Sequence, residues 1–238
     1  MNNHQNHDDR DVAYWAEWND QMVKKYNSEG TLFESKNPIL RIIEIKRVQA
    51  IIRFANIKPA DVILDIGCGQ GFLISTIKQY KKITGLDISR VYLEQAQKRL
   101  KNKKNIELIF GDAHQLPFKD KSYNKIISSE VLEHLPDPQK ALKEISRVLT
   151  DDGTLVISVP DERRIENIMK LIKFLKLNKF LHAARKQETY EWHLHKFDEN
   201  MVRAICFNLF SIEKIKRIPP LIGYRFVVQL KKIKPNEH

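Results

Sequence analysis

Three short stretches carry side chains whose types and spacing suit chemistry. The first is Asp61–Leu73, DVILDIGCGQGFL, where Gly67, Cys68, Gly69, Gln70 and Gly71 form a glycine-rich loop. Residues without a Cβ let the backbone turn sharply and come close to a ligand. Asp65 precedes that loop, and Asp87 ends the next apolar run, Ile83–Leu86. A carboxylate in that position can accept both hydroxyls of a ribose. The second stretch is EVLEH, Glu130–His134. In a helical turn Glu130, Glu133 and His134 stand at i, i+3 and i+4 and share one face. Three roles are open to them. His134 can act as general base or substrate contact, all three can hold a divalent metal, or His134 can brace its loop. The third stretch is EWHLHKF, where an extended backbone points His193 and His195 the same way, toward a substrate or simply at the surface.

Elements must position these groups. Val62–Ile66 is a short apolar run that predicts a buried strand, followed by the glycine loop and a helix over Phe72–Tyr80. Further strands are expected at Ile83–Leu86, Ile106–Phe110, Lys125–Ser128 and Thr154–Val159, with helices at Arg90–Lys101 and Gln139–Leu149. This alternation implies a parallel sheet with helices on both faces, and ligands at the carboxyl ends of its strands. Upstream, Tyr14, Trp15, Trp18 and Met22 recur at helical spacing within Val12–Tyr26, a helix that either packs on the domain or caps its cleft. Asn37 suits an N-cap and Pro38 the first turn of a helix over Ile39–Ala55. After Pro160 the pattern changes to a basic helix over Arg164–Leu181. A second helix covers Phe197–Leu209, capped by Asp198 and stapled by Phe197 against Val202. Phe210–Ile218 and Tyr224–Leu230 close the chain as two strands.

The chain has 238 residues, enough for one domain with appendages. Residues 1–11 read as a disordered tail, 12–56 as N-terminal cap helices, and 57–238 as the main domain with a basic helical insertion at 161–196. No apolar run is long enough to span a bilayer, and MNNHQNHDDRD lacks the apolar core of a signal peptide. The two cysteines, Cys68 and Cys206, fit a reducing cytoplasm. Of the net charge of +11, residues 163–186 hold +7. Lysines 170, 173, 176 and 179 drift by roughly 60° per step around a helix and keep no single face. That segment is a lid over the site, a peripheral contact for anionic membrane, or, less favoured, a nucleic-acid contact.

The order of motifs resembles that of the class I S-adenosylmethionine (SAM)-dependent methyltransferases. The glycine loop reads GxGxG, and GLDIS at 85–89, GDAHQLPF at 111–118, SEVLEHLPDP at 129–138 and LTDDGTLVISVP at 149–160 follow in the family's order. The resemblance implies an α/β, Rossmann-like, seven-stranded and mostly parallel sheet whose last strand pair includes an antiparallel strand. It implies SAM as cofactor and S-adenosylhomocysteine as product. Position by position, Asp65 would favour the cationic end of the amino-acid tail, and Gly67, Cys68, Gly69 and Gly71 would form the loop beneath it. Asp87 would hold the ribose, Ile88 and Leu116 would face the adenine, Asp112 and Ala113 would meet its polar edge, and Ser129 would contact the tail through its backbone. NPILR resembles the ubiquinone-pathway O-methyltransferases, where an arginine meets the cofactor carboxylate. Arg41 stands one residue away from that position. Those enzymes also use a metal at the stretch equivalent to EVLEH; here a metal is an open possibility and not the favoured one. In relatives, the N-terminal helix with Trp15 and the region of His193 and His195 lie near the substrate. The expected activity is methyl transfer to an oxygen, nitrogen or carbon of a small or lipophilic acceptor, with O-methylation favoured. The alternatives are an RNA methyltransferase and a non-catalytic SAM-binding subunit.

Overall fold

The computed structural model describes residues 12–26, 37–174, 193–220 and 223–233. The expected tail over 1–11, the basic helix beyond residue 174 and most of the insertion at 161–196 lie outside them.

Seven strands form one sheet in the order β3-β2-β1-β4-β5-β7-β6. They are β1 (Val62–Ile66), β2 (Lys82–Asp87), β3 (Ile106–Phe110), β4 (Tyr123–Ser129), β5 (Leu149–Pro160), β6 (Phe210–Ile218) and β7 (Arg225–Lys232). β7 is antiparallel to both β5 and β6, and the other pairings are parallel. Strand order reverses between β1 and β4, which makes their carboxyl ends the place for a ligand.

Alternation along the strands fills two cores. Leu64, Ile66, Leu155, Ile157, Val159, Phe226, Val228 and Leu230 face one side, while Ile63, Val156 and Val227 face the other. A sheet buried on both faces needs helices on both faces. On the first side lie α5 (Pro138–Val148) and α7 (Glu199–Cys206), which contribute Leu142, Ile145, Val202 and Ile205. On the second lie α2 (Pro38–Ala55), α3 (Phe72–Thr76) and α4 (Arg90–Leu100), with Ile51, Ile74 and Leu100.

Caps fix where these helices begin. The Asn37 side chain accepts from the Ile39 amide, Ser89 from Tyr92, Asp137 from Lys140 and Asp198 from Met201. Phe197 and Val202 share one core cluster, as the expected staple requires. α1 (Val12–Tyr26) and α6 (Glu162–Phe174) complete the described helices.

Several expectations change, the start of β5 at Leu149 and the span of α7, shorter than Phe197–Leu209, among them. α3 ends at Thr76, four residues short of Tyr80. α2 is no cap: Ala50, Ile51 and Ala55 sit in the core beside Ile63 and Ile218. Its outer face exposes Ile39, Ile42 and Ile45, so the helix is apolar on both sides.

Candidate active site

The glycine loop is shaped by main-chain contacts. The amides of Gly67 and Cys68 both donate to the Leu86 carbonyl, at 2.8 and 3.1 Å, tying the end of β1 to the end of β2. Gly67, Gly69 and Gly71 all have positive φ. A Cβ on Gly67 would stand 2.3 Å from the Val131 side chain, and one on Gly71 would stand 2.8 Å from Leu100. Gly69 is different, because nothing lies within 4 Å of where its Cβ would be. Its bare backbone faces open space.

Asp87 holds this loop as well as facing the cavity. Its Oδ2 accepts from the Gly69 amide at 2.7 Å and its Oδ1 from the Ser89 amide at 2.8 Å. Burial pushes its carboxyl up to about 6, against the pull of those two amides. Asp65 is fully buried beneath the loop. Burial first, then the charge of Asp87, push it up to about 8, with Arg47 opposing. Its Oδ2 has no hydrogen-bond partner among the described residues. Asp112 behaves oppositely. Burial would raise it, but its Oδ1 accepts from the ring Nδ1 (2.6 Å) and the amide (2.9 Å) of His114, and its carboxyl stays below the usual range.

One cavity joins these groups to the second stretch. Gly67, Gly69, Asp87, Ile88, Asp112 and Ala113 line one part, and Glu130, Val131, His134, Leu135 and Pro136 another. Trp15, Trp18 and Asn19 of α1 form its roof. α1 is fastened by Asp20, which accepts a hydrogen bond from Ser89, itself the cap of α4. The sequence reading named Trp15 alone. Trp18 stands one turn further along the same helix, so its spacing carried the signal. Asn19, Tyr92 and His114 also line the cavity and were missed.

EVLEH does not form the expected helical turn. Glu130 has φ 57°, and a 3-10 turn begins only at Leu132 and ends at His134. The three side chains therefore share no helix face. Glu130 turns to a buried ionic network. Its carboxylate lies 3.3 Å from Arg225 Nε and accepts from the Ser158 hydroxyl at 2.9 Å. Arg225 also pairs with Glu44, which pairs with Arg47 at 2.7 Å. Arg225 and Arg47 hold Glu130 below its usual range despite burial. Glu133 is pushed well up by burial and by the charge of Glu130. A divalent cation on Glu130, Glu133 and His134 would face the Arg225 guanidinium already engaged by Glu130. That donor set does not fit a metal.

Other expected residues stand elsewhere. Ser129 does not line the cavity and its hydroxyl meets Arg47 and Ser158, which leaves the expected contact through its backbone untested. Cys68 and Leu116 are buried but do not line the cavity, and Gly71 packs on α4. Arg41 is exposed on α2 and takes no part in the cavity wall. Arg47, buried two turns later on the same helix, is the arginine near Asp65. His193 and His195 lie behind the wall: the amides of Leu194 and His195 donate to the Glu133 carbonyl, and His193 Nδ1 meets Glu162 Oε1 at 2.6 Å.

A SAM molecule fits these residues. The open cradle at Gly69 and the acceptor carboxylates of Asp87 and Asp112 match a ligand with a diol and an amino-substituted base, whereas Asp65, its Oδ2 unpartnered among the described residues, is buried and does not line the cavity.

Comparison with known proteins agrees. Residues 57–201 match the family described as "Methyltransferase domain". An uncharacterized protein of Methanocaldococcus jannaschii is 37% identical over 173 residues, covering 72% of this chain and 62% of that one. A demethylmenaquinone methyltransferase of Staphylococcus haemolyticus is 32% identical over 150 residues, covering 60% of this chain and 63% of that one. The chain thus spans a little under two thirds of these relatives. Among solved structures, the N-methyltransferase NodS of Bradyrhizobium japonicum, in complex with S-adenosyl-L-homocysteine, superposes with TM-score 0.68 at 16% identity, covering 90% of this chain and 98% of that one. The [4+2]-cyclase SpnF superposes with TM-score 0.67 at 14% identity, covering 94% and 97%. Sheet order, glycine loop and family match together establish that this chain belongs to the class I SAM-dependent methyltransferases.

Proposed function

We propose that the protein transfers the SAM methyl group to a small lipophilic acceptor, with an oxygen as the favoured accepting atom. The observation that carries this reading is the single cavity that runs from Gly69, Asp87 and Asp112 to His134 under the α1 roof. Within it, Asp87 would accept the ribose hydroxyls on the lone pairs its two amide bonds leave. Asp112, held from one side by His114, would take the adenine amino group, with Ile88 against the ring and the Ala113 amide at its edge. Ionised Asp65 would favour the cationic end of the tail. The cofactor brings an activated methyl group, so the chain's own work is to align the acceptor and receive its proton. His134 is the cavity-lining base suited to that task. Trp15, Trp18, Val131, Leu135 and Pro136 give the acceptor apolar walls.

Two further observations support a lipophilic acceptor. The demethylmenaquinone methyltransferase above is named for a quinone. α6 also exposes Leu171 and Phe174 beside Arg163 and Lys170, a surface suited to peripheral contact with anionic lipid. No helix among the described residues is long and apolar enough to cross a membrane.

The test is label partition. Purified protein is incubated with methyl-labelled SAM and host extract, and organic-soluble, polar and nucleic-acid fractions are counted. Label is expected in the organic fraction and lost in Asp87→Ala. Label in RNA, or in the polar fraction alone, would refute the lipophilic acceptor.

A further inference from the structure

Glu162 and His193 flank the 163–192 stretch, the first residue before it and the first after. His193 returns to the Glu130–Pro136 turn, and Glu162 meets it there. Glu162 is buried and its Oε1 lies 2.6 Å from His193 Nδ1. The His193 ring stands edge-on to His134, with centroids 5.0 Å apart and planes at 64°. The backbone fixes this arrangement: Glu162 N donates to the Phe197 carbonyl, Leu194 and His195 donate to Glu133, and His195 Nε2 lies 3.2 Å from the Pro136 carbonyl. Donor atoms of Glu133, His134 and His193 lie within 4.8 Å of one another.

We propose that Glu162 and His193 are a positioning pair for His134, holding its ring toward the cavity and favouring the proton it gains. This rests on His134 as the base of the methyl transfer proposed above. As the acceptor oxygen bonds to the methyl carbon, the carbon–sulfur electron pair stays on sulfur and the acceptor's proton passes to His134. A carboxylate acting through an intervening imidazole favours the charged form of the base and fixes its orientation. The charged and titratable groups around this cluster are Glu130 and Glu133 from the turn itself, Glu162 from α6, Arg225 from β7, Arg47 and Glu44 from α2, and His195. Glu130 and Glu44 are committed to the two arginines, Glu133 lies within 4.8 Å of both imidazoles, and Glu162 is hydrogen-bonded to His193 at 2.6 Å.

The experiment uses the full chain saturated with S-adenosylhomocysteine. Imidazole carbon–proton NMR on that complex follows His134 and His193 through pH, and, in separate samples free of S-adenosylhomocysteine, label transfer from methyl-labelled SAM into solvent extract gives the rate profile. Glu162→Gln and His193→Asn should each lower the His134 midpoint by about one unit. The acid limb of the rate should move with it and the plateau should fall about tenfold, while affinity for S-adenosylhomocysteine stays within about twofold. Glu162→Asp should restore most of the midpoint. If Glu162→Gln loses cofactor binding, His193→Asn decides by the same readouts. An unmoved His134 midpoint in a variant that still binds would overturn the pairing. So would stoichiometric binding of Zn2+ by the wild type that His193→Asn abolishes, since the cluster would then be a metal site. A wild-type chain that binds no S-adenosylhomocysteine would overturn the methyl-transfer reading instead.

Discussion

At the scale of single residues, two carboxyls with displaced ionisation stand at the proposed cofactor site. Asp65 sits near 8 because it is buried beside Asp87. Near neutral pH it is mostly protonated, whereas a cationic ligand end selects its carboxylate. Binding SAM should therefore release a proton, and affinity should rise as pH goes from about 6 to 7.5. Calorimetry in buffers of different ionisation enthalpy measures this. Asp65→Asn should show neither proton release nor slope. Asp87→Ala removes a carboxylate that also holds Gly69 and Ser89; SAM affinity should fall roughly 10- to 100-fold, the worth of one or two charge-assisted hydrogen bonds. Arg41→Ala should change SAM affinity less than about twofold, because Arg41 lies outside the cavity wall.

At the scale of elements, local signals were legible and distant pairings were not. β1, β3 and β6 have the bounds their apolar runs predict, and α2, α4, α5 and α7 start where Asn37, Ser89, Asp137 and Asp198 cap them. β5 runs five residues earlier than expected, because Leu149–Asp152 continue the strand through polar residues that local periodicity does not favour. The expected helical turn fails at Glu130, which takes a left-handed conformation, so that the 3-10 turn starts only at Leu132. The Glu44–Arg47–Arg225–Glu130 network joins α2, β7 and the β4 turn, and no spacing rule links residues so far apart in sequence. That network ties α2 to the sheet. Arg47→Met leaves Glu44 and two serines in a buried site with one cation fewer, at a cost of about 3–5 kcal/mol. Thermal unfolding should show a Tm fall of roughly 10 °C.

At the scale of the whole molecule, the site end of the sheet concentrates raised carboxyls, and this sets how stability follows pH. Asp65 and Asp87, near 8 and 6, are both above the 3.8 of an unfolded chain, and Glu133 is raised too. The native state then binds more protons than the unfolded one, so these groups make the ligand-free fold gain stability as pH falls from about 8 to 5. Scanning calorimetry of the ligand-free protein should show Tm rising over that window, with Asp65→Asn flattening the rise. Saturating SAM, which holds Asp65 ionised, should flatten it as well. The cavity also has an unequal ancestry along the chain. Its cofactor wall comes from one uninterrupted run, Ile66 to His114, while its roof comes from α1 and its far wall from the Glu130–Pro136 turn, backed by His193–His195. Under the proposed function, acceptor and cofactor are thus met by separate stretches of the sequence. Exchange of α1 and of the turn after β4 changes the first and leaves the Ile66–His114 wall untouched.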